Sequence, residues 1–468
     1  MNRSLFMVAG ALLLGSGETP LLGTTAQAVA PALSSARGAN PAAPLLETLP
    51  SGATLALRPD RLAPRVAISV LVRAGASDET AQNAGWRRLL GEAMLRGVQH
   101  KGQTLSSVGL AREAERLGGI AGLSVGDDCV EVFVTGNSEN QRELAQLALD
   151  IALHARLSDA DVDAARKQIA QSVQNSTQNI SARAIQSLEG QLYRNSRGEP
   201  AAYGLTLTGT PQSVGALTGE KLRLLHTQYF GLARMVVGAA GDTDHGALRA
   251  VFGAGSGVAP QDTGTQPGLI RPKAGTPPIV VRQLPAQDSY VVVGFAGAGV
   301  SSADAPALRI AMAALTESRT ARLPARLIRG DRNNGLPKGA AAYEVQGQWT
   351  PRRYASEIAI FAQTDAPNVP ATQNAILDEV KRLRESGLSP SELDAAKQFA
   401  RGNYAVQNEA LRDRAFNAAL WPLLGASPSS DWSSRLNAVT AADVKRVAIK
   451  YLDTHAIALV VPEADDEG

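Results

Sequence analysis

Two stretches of this chain, more than two hundred residues apart, follow the same pattern. Residues 217–242 and 439–464 each begin with a threonine suited to cap a helix. Each then continues through an amphipathic helix that ends in a tyrosine, a short turn and an apolar strand. The matched tyrosines, Tyr229 and Tyr451, are 222 positions apart, as are the two threonines. A chain that repeats itself in this way is predicted to contain two copies of one structural unit.

A second pair of matching segments supports the same conclusion. The segment LSDADVDAARKQ, residues 157–168, matches LSPSELDAAKQF, residues 388–399, at an offset of 231 positions. In each segment a serine, Ser158 or Ser389, precedes a run with acidic residues in its first turn, which is the pattern of a capped helix start. Because the two pairs occur in the same order, we predict a duplication with short insertions between the copies.

The region around residue 255 divides the two copies. Residues 255–276 are rich in Gly, Pro and Thr and show neither helical nor strand periodicity, which is typical of a linker. We therefore assign residues 46–254 to an N-terminal domain and residues 277–468 to a C-terminal domain. In each domain, helical patterns occur together with apolar strands such as RVAISVLV and EIAIFAQ. This mixture predicts an α+β fold, with helices packed on one face of a sheet.

The first residues have the pattern of an export signal. An apolar stretch, residues 5–15, is too short to span a bilayer, and Ala26-Gln27-Ala28 is an A-x-A cleavage site. We predict a signal peptide over residues 1–28, removed after about Ala28, and a flexible leader over residues 29–45. The chain is then expected in a bacterial periplasm. No membrane attachment is expected after cleavage, because no cysteine near the cut could carry a lipid.

Net charge and cysteine content exclude several classes of function. The formal net charge is only +2, from 46 basic and 44 acidic residues, which gives no basis for nucleic-acid binding. The one cysteine, Cys129, can form no internal disulfide and excludes a cysteine-rich zinc site. Its apolar surroundings predict a buried thiol. The five histidines are scattered and form no i, i+4 pair, so structural or surface roles are expected for them.

The segment AGWRRLLGEAMLRGVQ, residues 84–99, has the pattern of an amphipathic helix that follows a strand. With the preceding LPSG turn and the RAGASDE segment, it resembles the start of the pitrilysin, insulinase and mitochondrial processing peptidase family of zinc metallopeptidases. The resemblance continues in order through RLGGIAGLSVGDDCVEVFV and both copies of the repeat. It implies two duplicated α/β-sandwich domains that form half of a clamshell, which agrees with the internal repeat.

The resemblance also implies where zinc would be bound. In that family the helix carries His-x-x-Glu-His, which brings two ligands and a general base to one zinc ion. The corresponding positions here are Arg88, Gly91 and Glu92, and the third-ligand position falls near residues 168–172, inside a stretch from 155 to 188 without Glu or His. Zinc catalysis needs three protein ligands, and this set is missing. We therefore expect a degenerate zinc motif, no cofactor in this chain and no independent peptidase activity.

Two of the substituted positions suggest an interaction of their own. Arg88 and Glu92 are four residues apart on one helical face, so they can form an ion pair worth about 0.2–0.5 kcal/mol. Such a pair would cap a vacated pocket. The alternative is that they are two unrelated charges in solvent.

Family members without the ligands imply a role beside an active subunit. In the two-chain branch, the chain lacking metal can supply an Arg and a Tyr that hold the substrate and its oxyanion at the partner's zinc. In the segment TARLPARLIRGDRNNGLPKGAAAYEVQG the matching residues are Arg329 and Tyr343. Their separation is about twice the family's, which an insertion would explain, so Arg326 or Arg332 remains an alternative. A purely structural reading is that these arginines coat an exposed helix and turn.

The sequence thus predicts a non-catalytic subunit of a heterodimeric periplasmic zinc metallopeptidase. Its expected partners are a catalytic subunit of the same fold carrying His-x-x-Glu-His, with zinc in that subunit, and peptide substrates. Two other functions remain open. The chain could be a structural or assembly protein of the same fold, or a protein that binds peptides without cleaving them.

Overall fold

The computed structural model describes residues 44–176, 180–254, 272, 277–283, 289–328, 341–426 and 432–462. The first half forms a six-stranded mixed sheet in the order β1-β2-β8-β3-β7-β6, with β4 and β5 as a separate hairpin. These strands are β1 (Leu45–Thr48), β2 (Thr54–Pro59), β3 (Arg65–Val72), β4 (Val98–His100), β5 (Gln103–Leu105), β6 (Ile120–Val125), β7 (Val130–Asn137) and β8 (Met235–Gly241). The helices are α1 (Trp86–Met94), α2 (Ser107–Arg116), α3 (Gln141–Leu153), α4 (Asp159–Ser176), α5 (Ile180–Leu192), α6 (Pro211–Gly215), α7 (Gly219–Tyr229) and α8 (His245–Phe252).

The second half repeats this arrangement. Its strands are β9 (Ile279–Gln283), β10 (Ser289–Ala296), β11 (Glu344–Thr350), β12 (Glu357–Thr364) and β13 (Ala456–Pro462). Its helices are α9 (Ala305–Thr316), α10 (Arg322–Leu327), α11 (Val369–Ser386), α12 (Pro390–Val406), α13 (Leu411–Leu423), α14 (Trp432–Ala438) and α15 (Ala441–Tyr451). The sheet order β9-β13-β10-β12-β11 matches β2-β8-β3-β7-β6, and each sheet has one parallel pair, β2 with β8 and β9 with β13. The predicted α+β fold and its duplication are confirmed.

The repeated sequence pattern produces equivalent helices. α7 and α15 each span eleven residues and end in the matched tyrosines. Their caps are the two threonines, since the hydroxyl of Thr218 accepts from the amide of Lys221 and that of Thr440 accepts from the amide of Asp443. Ser389 caps α12 in the same way. The strand that follows α7 or α15 lies inside its sheet, β8 in the first and β13 in the second.

Each half contributes one helix to the other half's sheet. Helix α13 lies across β2, β3 and β8, and helix α5 lies across β10 and β13. The α13 backbone touches β8 at Gly238, where a Cβ atom would lie 1.9 Å from the carbonyl oxygen of Ala415. In β3, Ile68 packs among the helices of its own half, while Ala67 faces α13. A sheet's own helices thus cover one face, as predicted, and the exchanged helix covers the other.

A buried arginine also joins the halves. The guanidinium of Arg352, between β11 and β12 and only 3% exposed, binds the carboxylates of Asp127 at 2.6 Å and Glu357 at 3.2 Å, and also that of Glu189. Two of these three carboxylates belong to the first half. Beside the guanidinium lie two aromatic rings, also from the first half, Tyr193 and Tyr203. A buried charge is tolerated only when it is paired, so this contact requires both halves to be in place.

Several sequence predictions fall in parts of the chain outside the described residues. The predicted signal peptide over 1–28, nearly all of the leader over 29–45 and nearly all of the linker over 255–276 lie there. Within the described residues, no helix is long and apolar enough to cross a membrane. The thiol of Cys129 is buried as predicted, and this burial raises its pKa.

The contact between α13 and β8 leads to a stability prediction. Gly238→Ala should lower the free energy of unfolding by about 1–3 kcal/mol, because the added methyl group forces α13 away from the sheet. The measurement is the midpoint of urea unfolding. Gly402→Ala is the matched control, since a Cβ atom there meets no atom within 4 Å. This control should be neutral or stabilise by up to about 1 kcal/mol, as expected for Gly→Ala inside a helix. Equal midpoints for the two variants would contradict the close contact.

Candidate degenerate zinc site

Helix α1 starts where the backbone makes a turn that only glycine tolerates. Gly85 caps the helix with φ at +86°, and a Cβ atom there would lie 2.7 Å from the backbone nitrogen of Gly209. The apolar face of the helix, which includes Trp86, Leu89 and Leu90, is completely buried. This burial follows from the helical spacing of the apolar residues. The helix is therefore firmly placed, although the chemistry expected of it is absent.

The first and last of the degenerate positions form an ion pair. The guanidinium of Arg88 lies 2.6 Å from the carboxylate of Glu92, and the two side chains are only 15% and 16% exposed. The pairing predicted from the spacing is therefore present, and the charges are not separate groups in solvent. A carboxylate held by a guanidinium in this way is neutralised locally and is a poor metal ligand.

The middle position is crowded by two side chains of strand β6. A Cβ atom on Gly91 would lie 2.7 Å from the Leu123 side chain and 3.0 Å from that of Val125, both in β6. Strand β6 therefore packs directly against α1 where the family's catalytic glutamate would project. A side chain at this position would require the end of the Leu123 side chain to move.

The neighbouring residue, Arg87, has a structural role that the sequence analysis missed. Its guanidinium is buried, donates to the carboxylate of Glu79 at 3.2 Å and also binds the carbonyl oxygen of Gly126. Burial raises the pKa of the Glu79 carboxyl, and the adjacent Arg87 opposes that shift. The signal was available in the sequence, because Glu79 is the last residue of the RAGASDE segment. The pair ties the loop after β3 to α1.

Helix α4 packs beside α1, where the resemblance places the third ligand. At the end of α1, the Arg96 guanidinium donates to the side-chain oxygen of Gln168. The residues present thus do not fit a zinc ion, since two positions hold a paired Arg and Glu, one has no side chain, and α4 offers an amide. Within the described part of the chain, no group of three or more His, Cys, Asp or Glu side chains could hold a metal ion.

Of the three arginines proposed for the partner's site, Arg326 lies within the described residues and the other two do not. Arg329 and Arg332 lie outside the described residues. Arg326 is almost buried, and its guanidinium binds the carboxylates of Asp378 and Glu379, each at 3.2 Å. These bonds hold α10 against α11, and the charge of Arg326 is therefore already neutralised by carboxylates of this chain. Arg322 likewise binds Glu392, at 2.7 Å.

Tyr343 lies at the start of β11, and its side chain is accessible. The residue is 56% exposed, and its hydroxyl donates to the carboxylate of Asp365 at 2.7 Å. Its amide donates to the carbonyl oxygen of Gln363, at 2.8 Å. Two residues earlier, the carbonyl oxygen of Ala341 accepts from the Thr372 hydroxyl at 3.0 Å. The backbone that carries Tyr343 is thus fixed while the ring faces outward.

Fold and site together define a duplicated α+β protein in which the described residues form no metal-ligand set where the resemblance would place a zinc ion. A family model described as the peptidase M16 inactive domain matches residues 216–399. The uncharacterized zinc protease YmxG of Bacillus subtilis is 20% identical over 424 residues, which are 89% of this chain and 98% of that protein. The mitochondrial-processing peptidase subunit beta of Blastocladiella emersonii is 22% identical over 57% of this chain and 55% of its own length. These similarities are consistent with a non-catalytic member of the M16 family of zinc metallopeptidases.

Solved structures agree with this assignment at the level of fold. A protease from Helicobacter pylori superimposes with a TM-score of 0.77 and 18% identity, covering 90% of this chain and all of that chain. A peptidase M16 inactive domain from Pseudomonas fluorescens gives a TM-score of 0.75 at 18% identity and covers 91% of this chain and all of that one. The predicted architecture of duplicated α/β-sandwich domains therefore stands.

The absence of a third ligand on α4 predicts that zinc binding cannot be restored by replacing the motif alone. The triple variant Arg88→His, Gly91→Glu, Glu92→His should bind zinc more weakly than about 1 µM, because residues 168–172 of α4 supply no third ligand. The measurement is competition with a chromophoric chelator, with the unaltered chain as reference and circular dichroism to verify folding. Stoichiometric, tight zinc binding by the folded triple variant would refute this account of the site.

Proposed function

We propose that this chain is the non-catalytic subunit of a heterodimeric zinc metallopeptidase of the periplasm. It would complete a chamber around peptide substrates and supply Arg329 and Tyr343 to a catalytic subunit that carries His-x-x-Glu-His and the zinc. The observation that carries the proposal is that α1 keeps its packing against α4 and β6 while every ligand position is changed. A packed helix without a ligand set at this place supports a role in which the zinc belongs to a partner chain.

The relatives support a subunit role. Two of them are named as the beta subunit of mitochondrial-processing peptidase, the second being that of Caenorhabditis elegans at 22% identity over 44% of this chain and 42% of its own length. Proteins of this family therefore occur as subunits of larger assemblies. A chain that has the fold without the ligands is suited to complete such an assembly.

The proposed chemistry follows from the two side chains. In peptide hydrolysis at the partner's zinc, negative charge develops on the carbonyl oxygen, and preorganised donors stabilise it in a site that excludes water. An arginine always carries its charge and offers a fork of N–H donors. The Tyr343 hydroxyl would turn from Asp365 to the oxyanion. Its fixed backbone limits the entropy lost when it does so.

Both side chains should therefore affect turnover in the reconstituted pair. We expect Arg329→Ala or Tyr343→Phe to lower kcat by roughly 10²–10³-fold with a smaller effect on KM, because the lost bonds form mainly in the transition state. Arg332→Ala tests the neighbouring arginine. The matched controls are Arg319→Ala, at an exposed position, and Tyr229→Phe, on α7 of the first half. Unchanged kcat in both test variants would remove the proposed role and leave a structural or assembly function.

We also propose that the N-terminus carries an export signal that is cleaved. When the full chain is expressed in a Gram-negative host, osmotic shock should release a protein that begins at Val29, as found by N-terminal sequencing. The double variant Ala26→Arg, Ala28→Arg should block this cleavage, because the A-x-A positions accept only small residues. Ala30→Arg is the control and should still be processed. A protein that keeps residue 1 and stays in the spheroplast would contradict the export prediction.

A further inference from the structure

A cavity in the second half is not used by the function proposed above. It has a volume of about 530 Å³ and lies between β11, α9, α12, α13 and α14. Volumes of about 300–1,000 Å³ are usual for sites that bind small molecules. The cavity is partly open to solvent near Gln407, an exposed residue that directly follows α12. A small molecule can therefore enter it.

The cavity lies in the second half where the first half has its degenerate zinc position. Helix α1 follows β3 and packs against β6 and α4, and helix α9 follows β10 and packs against β11 and α12. Strands β3 and β10 hold the same place in the two sheets, and so do β6 and β11. In the first half this space is narrowed by the side chains of Leu123 and Val125, and in the second half it holds the cavity.

The walls of the cavity are unusually aromatic for this chain. Only 4% of its residues are aromatic, and it contains four tryptophans, yet Trp349, Trp421 and Trp432 all line the cavity. The rings of Trp349 and Trp432 are stacked at 5.5 Å with an interplanar angle of 12°, and Trp421 lies 4.8 Å from Trp432. Trp349 is only partly buried, so some of its ring surface is available to a ligand that has a flat apolar face.

The charges in the lining cancel. The guanidinium of Arg309 binds the carboxylate of Glu317 through two contacts of 2.6 Å, and both side chains line the cavity. A charged ligand would lose its hydration here without finding an unpaired opposite charge in this ion pair. The lining therefore favours a neutral ligand.

Two carboxamides line the cavity on the side of α12. Asn403 and Gln407 are four residues apart, so their side chains project from the same side of the helix end. Each carboxamide offers two N–H donors and one carbonyl acceptor. Together they suit a ligand with several hydroxyl or amide groups around its rim.

Indoles, cancelled charges and carboxamides together select a class of ligand. A pyranose ring of the glucose type has a flat face of C–H groups, hydroxyl groups around its rim and no charge. These three properties match the indole surface, the carboxamides and the neutral lining in turn. A planar aromatic molecule would match the indoles alone and would leave the carboxamides without partners.

From these observations we propose that the cavity binds a neutral carbohydrate of one or two rings. The C–H face of a sugar ring stacks on Trp349, and the groups around its rim bond to Asn403 and Gln407. This binding site is independent of Arg329 and Tyr343 and needs no partner subunit. It gives the chain a second specificity, for glycans.

The test uses the chain's own fluorescence. The fourth tryptophan, Trp86, is fully buried in the first half, so a change in indole emission on adding a sugar reports on the cavity. The probes are N,N′-diacetylchitobiose and cellobiose, two neutral disaccharides that do not fluoresce, each titrated into the purified chain. We expect a saturable change in emission with at least one of them.

Two comparison ligands test the chemistry of recognition. Chitobiose without its acetyl groups carries ammonium groups at pH 6. It should bind at least about tenfold more weakly than the tighter neutral probe, because the carboxylate of Glu317 is already paired with Arg309. Benzyl alcohol, a neutral aromatic molecule, should also bind more weakly than that probe.

Variants on and next to α12 locate the binding site. The double variant Asn403→Ala, Gln407→Ala removes both carboxamides and should weaken sugar binding at least about tenfold. Gln398→Ala is the matched control on the same helix, exposed and outside the lining, and should bind as the unaltered chain does. Trp349→Leu removes the flat ring and should weaken binding by a similar factor. Circular dichroism verifies that each variant is folded.

Several results would overturn the inference. These are no saturable change in emission with either disaccharide at millimolar concentration, tighter binding of benzyl alcohol than of both sugars, or equal affinity of the folded double variant and Gln398→Ala for the sugar. Equal binding of the neutral and the ammonium-bearing disaccharides would likewise contradict the proposed recognition. Because the assay measures binding without turnover, its failure would leave the role of Arg329 and Tyr343 intact, and loss of that role would leave this binding site intact.

Discussion

The buried guanidinium of Arg352 is the contact on which the relation between the two halves depends. Taking a charge out of water costs several kcal/mol unless it is fully paired, and here the pairing carboxylates come from both halves. Neither half can bury this group alone. Burial and the neighbouring Glu357 carboxylate raise the pKa of Glu189 well above its usual range, and the Arg352 guanidinium opposes that shift. The network therefore forms only in one relative arrangement of the halves.

The exchange of helices explains why this arrangement is so close. Helix α13 lies close against the first sheet because the residues at this contact, Gly238, Ala67 and Ala415, have small side chains or none. In the second sheet, Gly294 likewise leaves space for the Leu188 side chain of α5. Small residues at a contact allow two backbones to approach closely. The many close atomic contacts then contribute dispersion energy, as buried aromatic rings do in other proteins. The low aromatic content of the chain is thus consistent with its tight internal packing. The cluster of Trp349, Trp421 and Trp432 is an exception in a chain that is only 4% aromatic.

At the position where the resemblance places a zinc ion, helix α1 is fully packed and its charged side chains are paired. The helix that would carry the ligands retains its cap, its buried apolar face and its neighbours. Its polar positions are filled by groups that satisfy one another, Arg88 with Glu92 and Arg87 with Glu79, and Gly91 admits the side chains of β6. These charges are paired as burial requires, since unpaired ones would destabilise the helix.

Much of the fold could be predicted from the sequence because its signals are local. The threonine caps of α7 and α15, the alternation of apolar residues in β3 and the pairing of Arg88 with Glu92 depend on spacings of a few residues. The use of Arg326 to hold α10 could not be predicted, since its acidic partners lie more than fifty positions further along. The sequence also gave no reason to associate Tyr343 with Asp365.

The sequence by itself determined that this chain is a duplicated α+β protein and which residues stand where the resemblance places a zinc motif, because caps, periodicity and motif positions are properties of short segments. Only the tertiary structure decided which face of each sheet receives a helix from the other half, which arginines are committed to packing, and that three tryptophans enclose one cavity. Those outcomes depend on contacts between residues that are distant in the chain. Sequence spacing carries no information about such contacts until the sheets and helices have been assembled.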